Sequence, residues 1–266
     1  MSSKSITTME EPSTLMRKKP KSLKKKKVKI IVIVACIIVA AVVIPITVFF
    51  TTNCYRKINY YVSHGQISKS YTCIFPRSTY NYYANQPHPR HDLLSDWDDI
   101  ALTFASYCTP NEAEILKIAQ GVKSQCINQS SDEEVINALL SFTQGITYKS
   151  EVIDLAQYPL ETLMDRGDCE DLSIFFGSIV ESLGYEAVIL CVLVYDEVEY
   201  EWFGHACVGV HLNFTPSHSV DPQFFDAAED TNQYWLCETT DQGWMVGQLP
   251  ASNPSYFSIV GYAFIN

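Results

Sequence analysis

The sequence predicts an α+β domain that follows a single N-terminal transmembrane helix. Residues 30–50 are apolar except for Pro45 and Thr47, and a helix of that length crosses the hydrocarbon core of a bilayer. Apolar residues recur at helical spacing between residues 109 and 184, whereas runs typical of strands begin at Ala187. Together these observations predict helices followed by strands behind a membrane anchor.

The charge distribution predicts the orientation of this anchor. Residues 1–29 form a basic tail with ten Lys or Arg and two acids, a net charge of about +8, so the rest of the chain carries about −19. Basic residues before the span predict a cytoplasmic tail, a membrane helix over residues 30–52 and a domain outside the cytoplasm. A cleaved signal peptide is the alternative, but the apolar run exceeds a usual h-region and no Ala-x-Ala-like site follows.

Residues 53–108 form a Tyr-rich segment with little helical periodicity. Within it, Gln66 to Phe75 predicts a strand, and Gln86 to His91 predicts a turn that contains Pro and His. Aromatic residues near a membrane can also lie at the lipid interface. We expect instead a small β appendage whose rings pack on the main domain.

The main domain is placed at residues 109–250 and is expected to begin with two helices. Thr109 to Glu112 is typical of a capping box with Pro at the first helical position, and Ser131 to Glu134 offers a second capping box. Apolar residues at helical spacing follow each of them. Gly145 is expected to end the second helix.

A third predicted helix begins at Cys169. Asp168 has the chemistry of an N-cap, and Glu170 and Asp171 fill the first turn, where the helix dipole favours carboxylates. Gly184 follows the apolar run where a C-terminal cap is expected. Backbone N–H groups at a helix N-terminus lower the pKa of a thiol and favour the thiolate. Cys169 is therefore the candidate nucleophile.

Three apolar runs after this helix predict strands. They cover residues 187–195, 205–212 and 234–238. His205 opens the second run and offers a base for the thiol, and Glu238 ends the third and offers an acid to orient that base. This order of Cys, His and carboxylate follows the general logic of a thiol triad. Residues 251–266 are expected to form a C-terminal strand or tail.

Four blocks that carry these residues resemble the transglutaminase-like superfamily, in particular its archaeal-type membrane-anchored members and the bacterial transglutaminase-like cysteine proteinases. The blocks are Tyr158 to Leu163, Gly167 to Asp171, Gly204-His205, and Cys237 to Thr240 with Gly243-Trp244. They occur in the family's order, and the resemblance extends over roughly Thr109 to Pro250, about half of the chain. The resemblance implies a papain-like fold, in which the Cys helix packs on an antiparallel sheet that carries the His and the acid.

The resemblance also implies the chemistry. It makes Cys169 the nucleophile, His205 the base and Glu238 the orienting acid, with no cofactor and with a protein or peptide substrate outside the cytoplasm. Members include peptidases, protein cross-linkers, deglycosylating amidases and proteins without an assigned activity. Hydrolysis of a peptide or amide bond through a thioacyl intermediate is the leading expectation, with cross-linking acyl transfer or an inactive surface-binding module as alternatives. Nucleic acid is not expected as a partner, because nothing after the anchor is basic enough to attract it.

Two other residues have candidate roles in such a site. Asp221, in Val220-Asp221-Pro222, lies at a separation from His205 that also suits a third triad member, but Glu238 ends an apolar strand and is preferred. Gln144 is polar at the end of an apolar helix and is a candidate oxyanion-hole donor. A solvent-facing residue at a helix end is the simpler interpretation of Gln144.

Two metal sites are alternatives to a thiol mechanism. Zinc would recruit Cys207 and Cys237 to the Cys–His pair, but both lie in apolar runs and the sequence has no CxxC motif. Calcium could bind the acidic residues near the candidate nucleophile, for which helix capping and a solvated acidic rim are the simpler interpretation. These acids are Asp165, Asp168, Glu170 and Asp171.

The cysteine content is typical of an exported protein rather than a cytosolic enzyme, with nine cysteines in the chain. Four cysteines that flank the predicted core are candidates for disulfides, namely Cys54, Cys73, Cys108 and Cys126. Cys54 or Cys108 is expected to be oxidised, whereas Cys169 must stay a thiol to act. Cys191, Cys207 and Cys237 lie in apolar strands and are interpreted as buried small hydrophobic side chains.

Overall fold

The computed structural model describes residues 21–88, 96–150, 155–219, 221–227, 231–248 and 256–265. The first 20 residues of the predicted basic tail lie outside the described residues, as do residues 251–255 of the predicted C-terminal segment. The chain divides into two compact units, Met1–Phe49 and Phe50–Asn266. The second unit contains the candidate site.

The apolar N-terminal run is helical, as predicted. Helix α1 (Lys21–Ile38) leads through a π-helical turn at Val39–Val43 into α2 (Ile44–Thr52). Pro45, which has no backbone N–H to donate, lies just after the π turn. The most apolar 18-residue window of the segment Lys29–Thr52 has a mean hydropathy of 3.2, so this helix is long and apolar enough to cross a membrane. The orientation of the domain stays a prediction.

The Tyr-rich segment begins with an antiparallel hairpin of β1 (Asn53–Val62) and β2 (Ile67–Pro76), which confirms the strand predicted near residue 70. In its turn, His64 and Gly65 have φ values of 51° and 83°. Alternate side chains of both strands are buried in the main core, namely Cys54, Ile58, Tyr60, Val62, Cys73 and Phe75. The hairpin therefore belongs to the same core as the residues that follow it.

Two helices follow the hairpin where the sequence showed little helical periodicity, α3 (Arg77–Ala84) and α4 (Trp97–Tyr107). The side chain of Asp96 caps α4 by accepting from the backbone N–H of Asp98 at 3.4 Å. The buried face of α4 consists of Ile100, Ala101, Phe104, Ala105 and Tyr107. This spacing is helical, but α4 has only 11 residues and its aromatic residues suit strands equally well.

The next helices of the described chain are α5 (Ala113–Lys123), α6 (Asp132–Gln144), α7 (Pro159–Asp165) and α8 (Cys169–Glu181). Helix α5 begins later than predicted, because its N-cap is Glu112 and the backbone N–H of Thr109 donates to Ser178 of α8 at 3.0 Å. Helix α6 begins as predicted, since the Ser131 hydroxyl accepts from the N–H of Glu134 at 3.3 Å.

An antiparallel sheet follows the helices, with the strand order β5-β6-β4-β3-β7. Its strands are β3 (Ala187–Asp196), β4 (Glu201–His211), β5 (Phe224–Asp226), β6 (Gln233–Cys237) and β7 (Phe257–Phe264). Strands β3, β4 and β6 overlap the three predicted strands, although β4 begins at Glu201, four residues earlier than expected. Strand β7 lies in the predicted C-terminal segment and pairs with β3.

Helix α8 lies at the centre of this arrangement. Its residues from Glu170 to Val180 are all buried, because α8 packs against β3 and β4 as well as against α5, α6 and α7. Helix α4 packs on β7 and β3, and α6 packs on β1. Helices packed against an antiparallel sheet confirm the α+β class. The papain-like arrangement stays a prediction.

The cysteines are all reduced, and all nine lie within the described residues. The disulfides predicted among the four flanking cysteines are therefore wrong for this structure. Cys54 and Cys73 are not opposite each other in the hairpin register. The sulfur of Cys108 lies 3.6 Å from the carbonyl of Ile174 on α8, and Cys126 contacts the last turns of α5.

Candidate active site

The N-terminus of α8 is held by the carboxylate of Asp171. It accepts from the backbone N–H of Gln157 at 2.7 Å, from the Gln157 side-chain amide at 3.0 Å and from the N–H of Asp168 at 3.4 Å. Asp168 is the N-cap, as predicted. Gly167 allows the close approach of the chain, because a Cβ there would lie 2.4 Å from the Asp171 Cβ. The loop therefore delivers Cys169 as the first residue of α8 in a fixed position.

The Cys169 sulfur lies between a carboxylate and a backbone N–H. The thiol donates to Glu170 Oε2 at 3.3 Å, and the sulfur accepts from the N–H of Ala206. Burial, Glu170 and Asp168 hold the pKa of the Cys169 thiol well above its usual range. The predicted lowering of this pKa is therefore wrong for this state, because desolvation and adjacent carboxylates outweigh the helix N-terminus.

Strand β4 can offer this N–H because it extends past its partner strand. The pairing of β4 with β6 ends at Val208, opposite Cys237. Ala206 lies two residues before Val208 on β4, beyond the end of the ladder with β6. Its N–H is therefore available to the Cys169 sulfur. The start of α8 thus meets β4 where the ladder to β6 has ended.

His205 and Glu238 are in direct contact. His205 Nε2 lies 2.8 Å from Glu238 Oε2, and the two side chains are 11% and 2% exposed. Glu238 directly follows β6, whose last residue, Cys237, pairs with Val208 of β4, the strand that carries His205. A neutral imidazole that donates through Nε2 carries its lone pair on Nδ1, the nitrogen that can accept a proton.

The environment of Glu238 keeps this carboxyl ionised. Burial raises its pKa, but the hydrogen bonds from His205 and Thr240 outweigh burial and hold the pKa below its usual value. Thr240 donates to Oε1 through its N–H at 2.8 Å and through its hydroxyl at 2.5 Å. A charged and fixed carboxylate can orient an imidazole and stabilise the imidazolium.

A cleft of about 390 Å³ opens beside His205 and Glu238. Its other lining residues are Tyr148, Val194, Phe203, Thr240 and Asp241. Tyr148 forms a parallel bridge with Gly167, two residues before Cys169. One backbone segment therefore borders the cleft and also supports the start of α8.

Asp221 is not the carboxylate that contacts His205. It is exposed, and its backbone carbonyl accepts from the side-chain amide of Gln223 at 2.9 Å. Glu238 occupies the contact with the imidazole. The geometry thus favours Glu238 over Asp221 as the orienting acid.

Gln144 is buried and connects elements around Glu238. Its Nε2 donates to the carbonyls of Glu238 at 2.8 Å and Trp244 at 3.1 Å, and its Oε1 accepts from the N–H of Gly243 at 3.2 Å. Both amide hydrogens are therefore in use. The suggested oxyanion role is wrong for this geometry, as is the solvent-facing alternative, and Gln144 instead fixes the segment after β6 on α6.

Cys207 and Cys237 lie on opposite faces of the sheet, which contradicts the zinc alternative. Cys207 packs in a cluster with Leu190, whereas Cys237 belongs to the main core on the helical side. Burial raises the pKa of both thiols. Cys207 and Cys237 cannot both reach one ion beside Cys169 and His205 with the tetrahedral geometry of zinc.

The predicted solvated acidic rim is buried instead. Carboxylate oxygens of Asp168, Glu170 and Asp171 lie within 4.8 Å of one another, close enough to share a cation. Asp171 already accepts from N–H groups, and Glu170 accepts from the thiol. Asp165 is separate, because it is exposed and accepts from the hydroxyl of Tyr80. A cation here would have to displace the bonds that hold α8.

The sequence did not indicate the cluster of His64, Glu133 and His218. The two imidazole rings stack with their centroids 3.3 Å apart. Glu133 accepts from Ser217 and His218 through both carboxylate oxygens, and Asn137 donates to His64 Nδ1. Because these bonds occupy the carboxylate and one nitrogen of each ring, the cluster acts as a clamp that holds residues 217–218 on α6.

Tyr148 and Glu170 are site residues whose positions sequence reasoning missed. Tyr148 lies in a segment expected to be loop, and no local pattern marks it. The contact of Glu170 with Cys169 had a signal, because the apolar pattern of α8 leaves no polar face that would keep an acid of its first turn in water.

No protein-family model matches the chain, and no curated protein sequence matches it. Among solved structures, a "putative cysteine protease" from Cytophaga hutchinsonii, determined to 1.9 Å, is similar, with 14% sequence identity and a TM-score of 0.37. The similarity covers 80% of this chain and 73% of that chain. A TM-score of this size carries no argument about activity, so the functional conclusion depends on the geometry of the site.

Proposed function

We propose that the chain is a membrane-anchored cysteine hydrolase of transglutaminase-like type, which cleaves peptide or amide bonds through a thioacyl intermediate. The observation that carries the proposal is the buried contact of 2.8 Å between His205 and Glu238. Beside it, the N–H of Ala206 contacts the sulfur of Cys169. A thiol, an imidazole and an orienting carboxylate are the groups that acyl transfer to sulfur requires. A papain-like arrangement of α8 on the sheet is part of this proposal.

In the first half-reaction, Cys169 becomes a thioester. The proton of its thiol moves to His205 Nδ1, and the electron pair left on the sulfur attacks the carbonyl carbon. The tetrahedral intermediate collapses when the imidazolium gives its proton to the leaving amine, which departs with the electrons of the C–N bond. Glu238 accepts from Nε2–H throughout and stabilises the positive charge of the ring.

In the second half-reaction, water takes the place of the amine. His205 removes a proton from the water, the oxygen attacks the thioester carbonyl, and the C–S bond breaks as the proton returns to Cys169. An amine that entered instead of water would give a cross-linked amide. The two outcomes share the first half-reaction and differ only in the acceptor.

The proposed location follows from the anchor and from charge. The apolar helix Lys29–Thr52 follows a basic tail, and this order supports a cytoplasmic tail and a domain outside the cytoplasm. The substrate is then a protein or peptide outside the cytoplasm, and the acidic domain repels nucleic acid. A protease added to intact cells should remove the domain and spare the tail. Protection of the whole domain would overturn this topology.

Activity-based labelling tests the nucleophile. The full chain in detergent micelles is treated with a peptidyl acyloxymethyl ketone, and the modified cysteine is mapped by mass spectrometry. The label is expected on Cys169 and should disappear in Cys169→Ala but persist in Cys36→Ala, a control in the apolar helix. Turnover with and without an added primary amine then separates hydrolysis from acyl transfer. Labelling of another cysteine, or full turnover by Cys169→Ala, would overturn the thiol mechanism.

A further inference from the structure

Glu170 makes an uncommon contact for the residue after a helical cysteine. Consecutive side chains on an α-helix point about 100° apart and do not face each other. Glu170 nevertheless brings Oε2 to 3.3 Å from the Cys169 sulfur. Because Glu170 is 4% exposed, the surrounding protein holds this conformation and water does not compete for the carboxylate.

The groups around the Cys169 sulfur favour a thiol that donates its S–H hydrogen to Glu170. On α8, Glu170 and the N-cap Asp168 face Cys169 with negative charge, and after burial they are what keeps its pKa high. From β4, the N–H of Ala206 acts in the opposite direction, and the imidazole of His205 is attached to the adjacent residue. In this hydrogen bond the sulfur is the donor and Glu170 Oε2 the acceptor, so the sulfur carries a proton.

We propose that Glu170 holds Cys169 as a protonated thiol while no substrate is bound. The proposal deepens the proposed function and rests on it for the identity of the nucleophile. Oxidants and stray electrophiles attack the thiolate rather than the thiol. A protonated resting sulfur therefore survives in an oxidising compartment outside the cytoplasm, and Glu170 regulates its reactivity without serving as the base.

Release of the sulfur needs no further reactant. When a substrate carbonyl reaches Cys169, the S–H bond breaks, the proton passes to His205 Nδ1, and the electron pair on the sulfur forms the C–S bond. Glu170 takes no proton in this step and loses only its hydrogen bond to the sulfur.

Alkylation kinetics of the full chain in detergent micelles test this role. The rate of carbamidomethylation of Cys169 by iodoacetamide is followed from pH 6 to pH 10 by mass spectrometry of its peptide. Glu170→Gln keeps the shape and removes the charge, so the alkylation midpoint should move to lower pH and the rate at pH 7 should rise at least about tenfold. Glu170→Asp keeps the charge on a shorter side chain and should give an intermediate midpoint.

Glu181→Gln is the matched control, because it makes the same change on α8 about 16 Å further along the helix. It should leave the alkylation midpoint of Cys169 unchanged. Buried Cys191 reports folding in every variant, since it becomes reactive only when the core opens. If Glu170→Gln unfolds, Glu170→Asp is used for the test instead. A midpoint in the folded Glu170 variant that is unchanged or higher overturns the proposal, even if Cys169→Ala abolishes turnover. A lowered midpoint supports the proposed role of Glu170. If Cys169→Ala also keeps full turnover, only the proposed function is refuted.

Discussion

The hydroxyl groups of Ser173 and Thr239 meet at 3.2 Å in the core, where both residues are fully buried. Ser173 lies about one helical turn after Cys169 on α8, and Thr239 directly follows Glu238. This hydrogen bond therefore joins the helix of the candidate nucleophile to the segment of the orienting carboxylate. The relative position of Cys169 and Glu238 depends on a polar pair that is far from solvent.

Ser173→Ala should destabilise the protein and lower turnover. It leaves the Thr239 hydroxyl buried without its partner on α8, which costs about 1–3 kcal/mol in the free energy of unfolding. Denaturant unfolding of the full chain in detergent, followed by tryptophan fluorescence, measures the loss. The double variant Ser173→Ala/Thr239→Val removes both polar groups and should lose less than the sum of the single variants. Strictly additive losses would show that the two hydroxyl groups do not interact.

Much of the site could be predicted from sequence because it depends on local signals. Cys169 opens a helix because Asp168 caps it and the apolar spacing continues for several turns. His205 opens one apolar run and Glu238 ends another, and the structure places them in β4 and directly after its neighbour β6. Sequence supplied the strands, but only the fold supplies the register that brings these two side chains together.

Tertiary packing explains what the sequence did not predict. The pKa of Cys169 was expected to fall, but α8 is enclosed by helices and strands, so its first-turn acids are buried against the sulfur. Gln144 was a candidate donor to substrate, but the segment after β6 folds back and takes both of its amide hydrogens. Both errors come from contacts between residues that are distant in the chain, or from burial that such contacts create.

The cysteines provide a simple check on the structure. The described residues contain nine reduced cysteines and no disulfide, although an exported location allows disulfides to form. Denaturation of the purified full chain with iodoacetamide and without reductant should add nine carbamidomethyl groups to the intact mass. A chain that takes up only seven and gains the other two after reduction contains a disulfide. Peptide mapping would then show whether Cys54 or Cys108 is oxidised, as the sequence suggested.

Glu181 should make the stability of the domain depend on pH. Burial raises the pKa of its carboxyl to about 7, despite a hydrogen bond from Ala187 N–H, and Glu186 adds to the increase. The unfolded value is about 4.3, so the native state binds more protons between these values and loses stability as pH rises from about 4.3 to about 7. Because the carboxyl is partly open to solvent, we expect a loss of about 1 kcal/mol rather than the full value of the shift.

Glu181→Gln isolates this effect, since the amide does not titrate. The difference in unfolding free energy between Glu181→Gln and the unsubstituted chain should shift in favour of the variant by about 1 kcal/mol from pH 4.5 to pH 8.5. Denaturant titrations of both chains at these two pH values measure it. A constant difference would show that Glu181 has an ordinary pKa in the folded domain.

The roles of His205, Glu238 and Asp221 can be ranked by turnover of an amide substrate. His205→Ala should lower turnover about 10²–10⁴-fold, because in the proposed mechanism it removes the group that takes the thiol proton and protonates the leaving amine. Glu238→Gln should cost less, because the amide can still contact Nε2 at its 2.8 Å position but carries no charge to stabilise the imidazolium.

Asp221→Asn is the matched control, since it neutralises an exposed carboxylate whose backbone, rather than its side chain, makes the hydrogen bond to Gln223. It should leave turnover nearly unchanged, and circular dichroism should show the same helix content in all three variants. A large loss in Asp221→Asn with a small one in Glu238→Gln would transfer the orienting role to Asp221. The loop after β4 would then have to move towards His205 when substrate binds, because in this structure Glu238 fills the contact with the imidazole.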